Sequence, residues 1–211
     1  SKITVVHNGV PSYLKPAAKD LKLIKRLKLE RKIVLLFMGL FNRRKNPLFL
    51  LEVLSKLRKA RLNLVLIFWG KGPLESQIKI KAKELGIINN IRIAKPLFGK
   101  EKNKIHNLAD IFLHPSVDEG FALSPLEAMA CAKPIVMTRG YSASEAVDDR
   151  VNGFLCNSNE LIHWSERLSK LIKSRALREK MGKASLAKVK KEFQWDIAVK
   201  KHIDVFKKLA T

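Results

Sequence analysis

Short apolar runs, four to six residues long and mostly without polar alternation, constrain this chain more than any other feature. They are Ile33 to Met38, Leu64 to Trp69, Ile91 to Ala94, Ile111 to His114, Pro134 to Met137 and Gly153 to Cys156. A strand wetted on one face alternates apolar with polar residues. A run without alternation suits a strand covered on both faces, as in a parallel sheet. Helical patterns separate the runs: Leu48 to Leu57, the stretch from Pro73 through Gly86, Lys100 to Leu108, and Pro125 to Ala132. The pattern predicts an α/β fold, a doubly wound parallel sheet of Rossmann-like type.

From about Glu160 the chain turns helical and ends in Trp195 to Leu209, with Trp195, Val199, Ile203 and Phe206 along one face. The expected organisation is a Rossmann-like unit over residues 1–194 and a closing amphipathic helix over 195–211. A lysine-rich helical stretch, residues 17–32, precedes the first run and carries a seam of Leu21, Ile24 and Leu27. The opening Ser1-Lys2-Ile3-Thr4-Val5-Val6 reads as a strand already under way, which predicts a piece of a longer chain.

No apolar run approaches the ~18 residues that span a bilayer. Cys131 and Cys156 stand apart and suit a reducing compartment, and the five histidines are scattered. Neither set has the spacing of a disulfide framework or a zinc site, so no metal is expected. The formal charge of +23 attracts anions: nucleic acid, an acidic membrane surface or phosphorylated substrates. Lysine and arginine are spread from end to end, which also suits ordinary solvated faces.

In an open parallel sheet, ligands bind where the strand-to-helix loops converge at the carboxyl ends of the strands. Three loops stand out. Gly39-Leu40-Phe41-Asn42-Arg43-Arg44-Lys45-Asn46-Pro47 puts three successive cations beside a helix N-terminus, which already favours an anion. Gly70-Lys71-Gly72-Pro73 reads first as a tight turn and only second as a ligand contact. The third loop follows His114 and contains EGFALSPLE, Glu119 to Glu127. There Ser124, Pro125 and Glu127 have the spacing of a capping box, with Ser124 at the N-cap. That gives Glu127 a structural task; Glu119, beside Gly120, has none and faces the expected cleft.

The stretch HPSVDEGFALSPLEAMACAKPIV resembles the Glu-x7-Glu signature of retaining, nucleotide-sugar-dependent glycosyltransferases of GT-B fold, family 4 or group 1. VVHNGV, the Gly39 to Lys45 loop, GKGP, EAVDDRVNGFLC and the final helix are similar to further stretches of that family's C-terminal, donor-binding domain. The resemblance implies that Glu119 binds the transferred sugar, with Gly120, Phe121, Ala122 and Leu123 presenting backbone to sugar and diphosphate. It implies that Glu127 accepts the ribose hydroxyls and that Lys45 neutralises the diphosphate, with Glu119 and Lys45 the catalytic pair. Gly39, Arg43 and Arg44 would line the phosphate site, and Pro96 and Leu97, within Lys95 to Gly99, the base.

The family's arginine after the glycine is Leu40 here. Either Arg43 or Arg44 reaches in, or the phosphate site is weaker. No Asp-x-Asp occurs, so the resemblance calls for no metal and no cofactor beyond the donor substrate. Its implied partners are a nucleotide-diphosphate sugar, a glycan or lipid-linked acceptor, an N-terminal acceptor domain needed for activity, and an anionic membrane surface met from the cytoplasm. Nucleic acid is not among them. Two rivals stay open: a basic nucleic-acid-binding module, and a sugar-nucleotide binder that has lost catalysis through Leu40.

Overall fold

A computed structural model of the protein describes residues 3–58, 63–140 and 143–209. The chain enters through a short helix, α1 (Leu21–Leu27), in which the Asp20 carboxylate accepts the Leu23 N–H at 3.0 Å. It then alternates: β1 (Ile33–Met38), α2 (Pro47–Arg58), β2 (Leu64–Trp69), α3 (Glu75–Glu84), β3 (Ile91–Ala94), α4 (Glu101–Leu108) and β4 (Ile111–His114). After these come α5 (Leu123–Ala130), β5 (Ile135–Thr138), α6 (Ala143–Ala146), β6 (Gly153–Cys156), α7 (Leu161–Lys173), α8 (Arg175–Glu192) and α9 (Trp195–Leu209).

Among the described residues the sheet has six strands, ordered β3-β2-β1-β4-β5-β6, and every pair is parallel. The chain begins in the middle at β1, walks outward to β3, and returns to lay β4 against the other side of β1. Loops leaving β1 and β4 therefore turn to opposite faces and open a crevice between them. Both faces of the sheet are covered, as the unalternated runs predict. On one side Leu35, Phe37, Leu66 and Phe68 pack beneath α2, α3 and α7, where the Phe49 ring meets Trp164 edge-on at 5.6 Å. On the other, Leu36, Met38, Ile67 and Phe112 pack beneath α4 and α5.

Four expectations need correction. The opening residues form no strand where described, and Ile3 and Val5 are exposed; the sheet starts at β1 and neither edge strand receives them. Val10 is tied, donating its N–H to Phe193 O at 2.8 Å and accepting the Trp195 N–H at 3.2 Å, and the His7 ring pairs with Glu145. In α1, Ile24 and Leu27 pack on the core while Leu21 stands exposed, so that seam is spent largely within the protein. The helix expected from Pro73 begins at Glu75. Lastly, α5 starts at Leu123 with Ala122 at its N-cap, which places Ser124 and Glu127 inside the helix and leaves no capping box. The loop completes its turn at Ala122, two residues before the serine that could have capped. The face of α9 formed by Trp195, Val199, Ile203 and Phe206 lies open.

Candidate functional site

At the crevice, the loops leaving β1 and β4 are joined: Val117 donates its N–H to Arg44 O at 3.0 Å. Within the first loop the Asn42 side chain accepts the Lys45 N–H at 2.9 Å, and Asn46 takes a left-handed φ of 51° that delivers the chain into α2. This folding carries the Lys45 ammonium onto Glu119, with which it forms a partly buried ion pair. The loop also rests on GKGP backbone to backbone. Phe41 N–H reaches Lys71 O at 2.9 Å and Leu74 N–H reaches Phe41 O at 3.0 Å. A Cβ on Gly70 would sit 1.9 Å from Gly39 O, so only glycine permits the approach. GKGP is here a tight packed turn.

A second group supports Glu119 from below. The buried His114 ring, at the end of β4, brings Nε2 to 3.5 Å from the Glu119 carboxylate, though neither ring nitrogen closes a hydrogen bond of normal geometry. Burial pushes the His114 pKa down, so the ring is held neutral. His114 together with Lys45 holds the Glu119 carboxyl at about 2, against the burial that pushes it upward.

Glu127 has a parallel setting. From α5 it faces α4, where Lys102 and His106 lie four residues apart on one side of the helix. Lys102 forms an ion pair with the carboxylate, and His106 Nε2 lies 3.4 Å from its other oxygen. Burial pushes the Glu127 carboxyl up; His106 and Lys102 outweigh it and keep the pKa below the usual value. Burial likewise lowers the His106 pKa despite the neighbouring carboxylate, leaving a neutral ring whose Nδ1 has no partner. Each glutamate thus remains ionised, set between one ammonium and one buried imidazole.

Beside these groups a cleft of about 320 Å³ opens between Gly39 and Leu40 on one side and Pro96, Leu97 and Phe98 on the other, with Trp69 and Lys102 also lining it. Ionised carboxylates are strong acceptors for hydroxyls. The ammoniums beside them can pair with anionic oxygens. Apolar walls suit a flat ring, so the chemistry on offer matches a ligand carrying hydroxyls, phosphate and a planar group.

The structure brings together Lys45, Glu119, Gly39, Pro96 and Leu97 around this end of the sheet, with Glu127 joined through Lys102. Arg43 and Arg44 stay exposed, so the cation against Glu119 is Lys45. A Cβ on Gly120 would meet nothing within 4 Å, leaving open space for a ligand. Phe121 packs against His7 at 4.9 Å and Phe193 at 5.9 Å, Ala122 is buried, and Leu123 is half exposed. The sequence reading missed Lys102, His106 and His114. Spacing of four on an amphipathic helix linked the first two, and His114 ends an otherwise apolar strand.

A family model described as glycosyl transferases group 1 matches residues 19–188. The chain is 32% identical over 166 residues to the D-inositol 3-phosphate glycosyltransferase of Corynebacterium jeikeium (strain K411), which covers 75% of this chain and 39% of that protein. HepE of Anabaena, crystallised in complex with UDP, superposes with a TM-score of 0.88 at 20% identity, over 97% of this chain and 57% of that one. The C-terminal domain of LpcC, a glycosyl transferase group 1 family protein from Francisella tularensis, superposes with a TM-score of 0.78 at 21% identity, over 88% of this chain and 99% of that one. These structural likenesses speak to fold. The chain spans about two fifths of the length of curated relatives such as the Corynebacterium enzyme, at 39%. With the family match running from the approach to α1 almost to the end of α8, the chain belongs to the glycosyl transferases group 1 family.

Proposed function

We propose that this chain is the donor-binding half of a glycosyltransferase that moves a sugar from a nucleotide-diphosphate sugar to a lipid-linked or polysaccharide acceptor, with retention of anomeric configuration. The observation that carries this reading is the pairing of Lys45 with Glu119 at the crevice between β1 and β4. Lys45 and Glu119 hold each other as an ion pair. An arriving diphosphate competes for the ammonium, and its departure frees Glu119 to accept the sugar hydroxyls. Lys45 then faces the charge that grows on the leaving diphosphate as the sugar–phosphate bond breaks. Glu127 receives the ribose hydroxyls, and the walls of the cleft enclose the base. UDP in the Anabaena neighbour supports a uridine donor.

The reading requires no cofactor besides the donor. An acceptor domain would complete the cleft and cover the open face of α9. Among the described residues, no helix is long and apolar enough to cross a membrane. Its charge of +23 supports work at an anionic cytoplasmic surface, reached by attraction rather than insertion. A nucleic-acid-binding module is not favoured, since the family match takes in most of the chain.

Calorimetric titration with UDP, GDP, ADP and a single-stranded DNA oligomer tests the proposal. UDP should bind in preference to the other two, and DNA should not displace it. Displacement by DNA, or no nucleotide binding, would overturn the reading. Absence of turnover from the cognate sugar nucleotide in the full-length protein would leave a binder without catalysis.

A further inference from the structure

A second cleft lies at the opposite end of the sheet, where the chain enters β4 and β5, with a volume of about 360 Å³. Four cations line it, Lys19, Lys133, Arg175 and Arg178, against two carboxylates, Asp110 and Glu179. Both carboxylates are already engaged. Asp110 accepts Lys19 Nζ at 2.7 Å through one oxygen and the Val34 N–H at 2.8 Å through the other. Glu179 takes Arg175 Nε at 2.7 Å on the open surface.

Lys133 is left over. Ala132, two residues past the end of α5 and at a left-handed φ of 56°, precedes Lys133, which lines this cleft. Among the described residues it forms no ion pair, and its ammonium has only the Asn107 carbonyl, at 3.4 Å. Burial, with the nearby Lys19 charge, pushes the Lys133 pKa down to about 8. Arg178 spends one nitrogen on the Leu171 and Ile172 carbonyls at the end of α7, at 2.7 and 2.9 Å, and keeps the rest of its guanidinium available. The lining therefore holds two positive charges in excess around a half-buried ammonium that forms no ion pair of its own, the nearby Asp110 being already paired with Lys19. A buried charge of this kind is costly until an opposite charge joins it.

We propose that this cleft binds a phosphate dianion, free or as the terminal group of a phosphomonoester, with Lys133 as the central contact and Arg175 and Arg178 beside it. Two negative charges match the excess, and arginine presents paired donors to phosphate oxygens. The volume exceeds what a phosphate fills, leaving room for the body that carries it. The site is independent of the donor reading, because it uses none of the residues at the carboxyl end of the sheet.

Calorimetric titration of the 211-residue chain with inorganic phosphate, against chloride at matched ionic strength, tests it. Phosphate should bind, and Lys133→Met should weaken it by about tenfold or more, as expected for loss of a charged hydrogen bond. Arg175→Gln, at an exposed position where folding is safe, should weaken it several-fold and decides the matter if Lys133→Met does not fold. Lys45→Ala, at the other end of the sheet, should leave the Lys133-dependent component of phosphate binding in place. The proposal fails if phosphate binds no better than chloride, if Arg175→Gln and Lys133→Met bind it as the parent does, or if Lys45→Ala abolishes binding. Glycerol 3-phosphate and vesicles of phosphatidate, compared with phosphatidylcholine, then separate the sources. Binding of glycerol 3-phosphate alone assigns a soluble ligand, and Lys133-dependent sedimentation with phosphatidate assigns a lipid headgroup.

Discussion

Glu119 and Glu127 resemble each other in surroundings and differ in the ligand part they should meet. Glu127→Gln is expected to weaken nucleoside diphosphate binding by roughly 1.5–3 kcal/mol, the worth of a charged hydrogen bond. Glu119→Gln should spare the nucleoside diphosphate and weaken only the intact sugar nucleotide. Titration of each variant with both ligands checks this, with melting temperature recorded because Glu127 also supports buried His106. Equal loss for both ligands in both variants would dissolve the division of labour. The same four side chains set a pH response. His106 and His114 have folded pKa values below the unfolded value of 6.5, so their stabilisation is present above that pH and fades as pH falls. Glu119, at about 2, and Glu127 add stabilisation that is present above 4.5 and lost as pH falls through their folded values. Melting temperature should therefore decline below pH 6.5 and again below 4.5, and His114→Gln should soften the first decline. Glu119 stood out in the sequence because a carboxylate beside glycine in a strand-to-helix loop had no local partner, and the structure places it against Lys45 and His114. Lys102 and His106 did not: their spacing of four marks one face of a helix, but their partner Glu127 stands on another helix and no local pattern joins them to it.

At the level of elements, the strands were readable and the ends of helices were not. Five of the six apolar runs coincide with strands, and Pro134 to Met137 is displaced by one residue from β5, Ile135–Thr138, since burial on both faces dictates nearly every residue in them. Where a helix begins depends on how the preceding loop comes in, and Gly120 to Ala122 turned it early, so that Ser124-x-x-Glu127 became interior sequence. The opening Ile3 to Val6 has strand composition and no strand to pair with. Glycine at 70 offers the sharpest test of an element-level contact. Gly70→Ala would push a methyl group against the Gly39 carbonyl, 1.9 Å away. We expect a fall in stability of several kcal/mol, as for the more severe backbone clashes, together with weakened diphosphate binding because the Lys45 loop shifts. Urea denaturation and nucleotide titration of the variant measure both. A stable variant with unchanged affinity would show that the turn and the loop are free of one another.

Across the whole molecule, two features pull in opposite directions. A charge of +23 makes copies of the chain repel, while Trp195, Val199, Ile203 and Phe206 present a bare apolar ridge on α9. Ionic strength acts on them unequally. Salt shortens the reach of charge, to roughly 10 Å at 0.1 M and 3 Å at 1 M, whereas apolar attraction does not weaken. Sedimentation velocity should therefore find single chains in dilute buffer and growing self-association as sodium chloride is raised, reversed by Phe206→Ser with Ile203→Ser. Association that faded with salt would mean the copies meet through charged surfaces instead. The ridge thereby makes salt a glue for this chain, whereas for a partner drawn by its positive charge salt is a solvent.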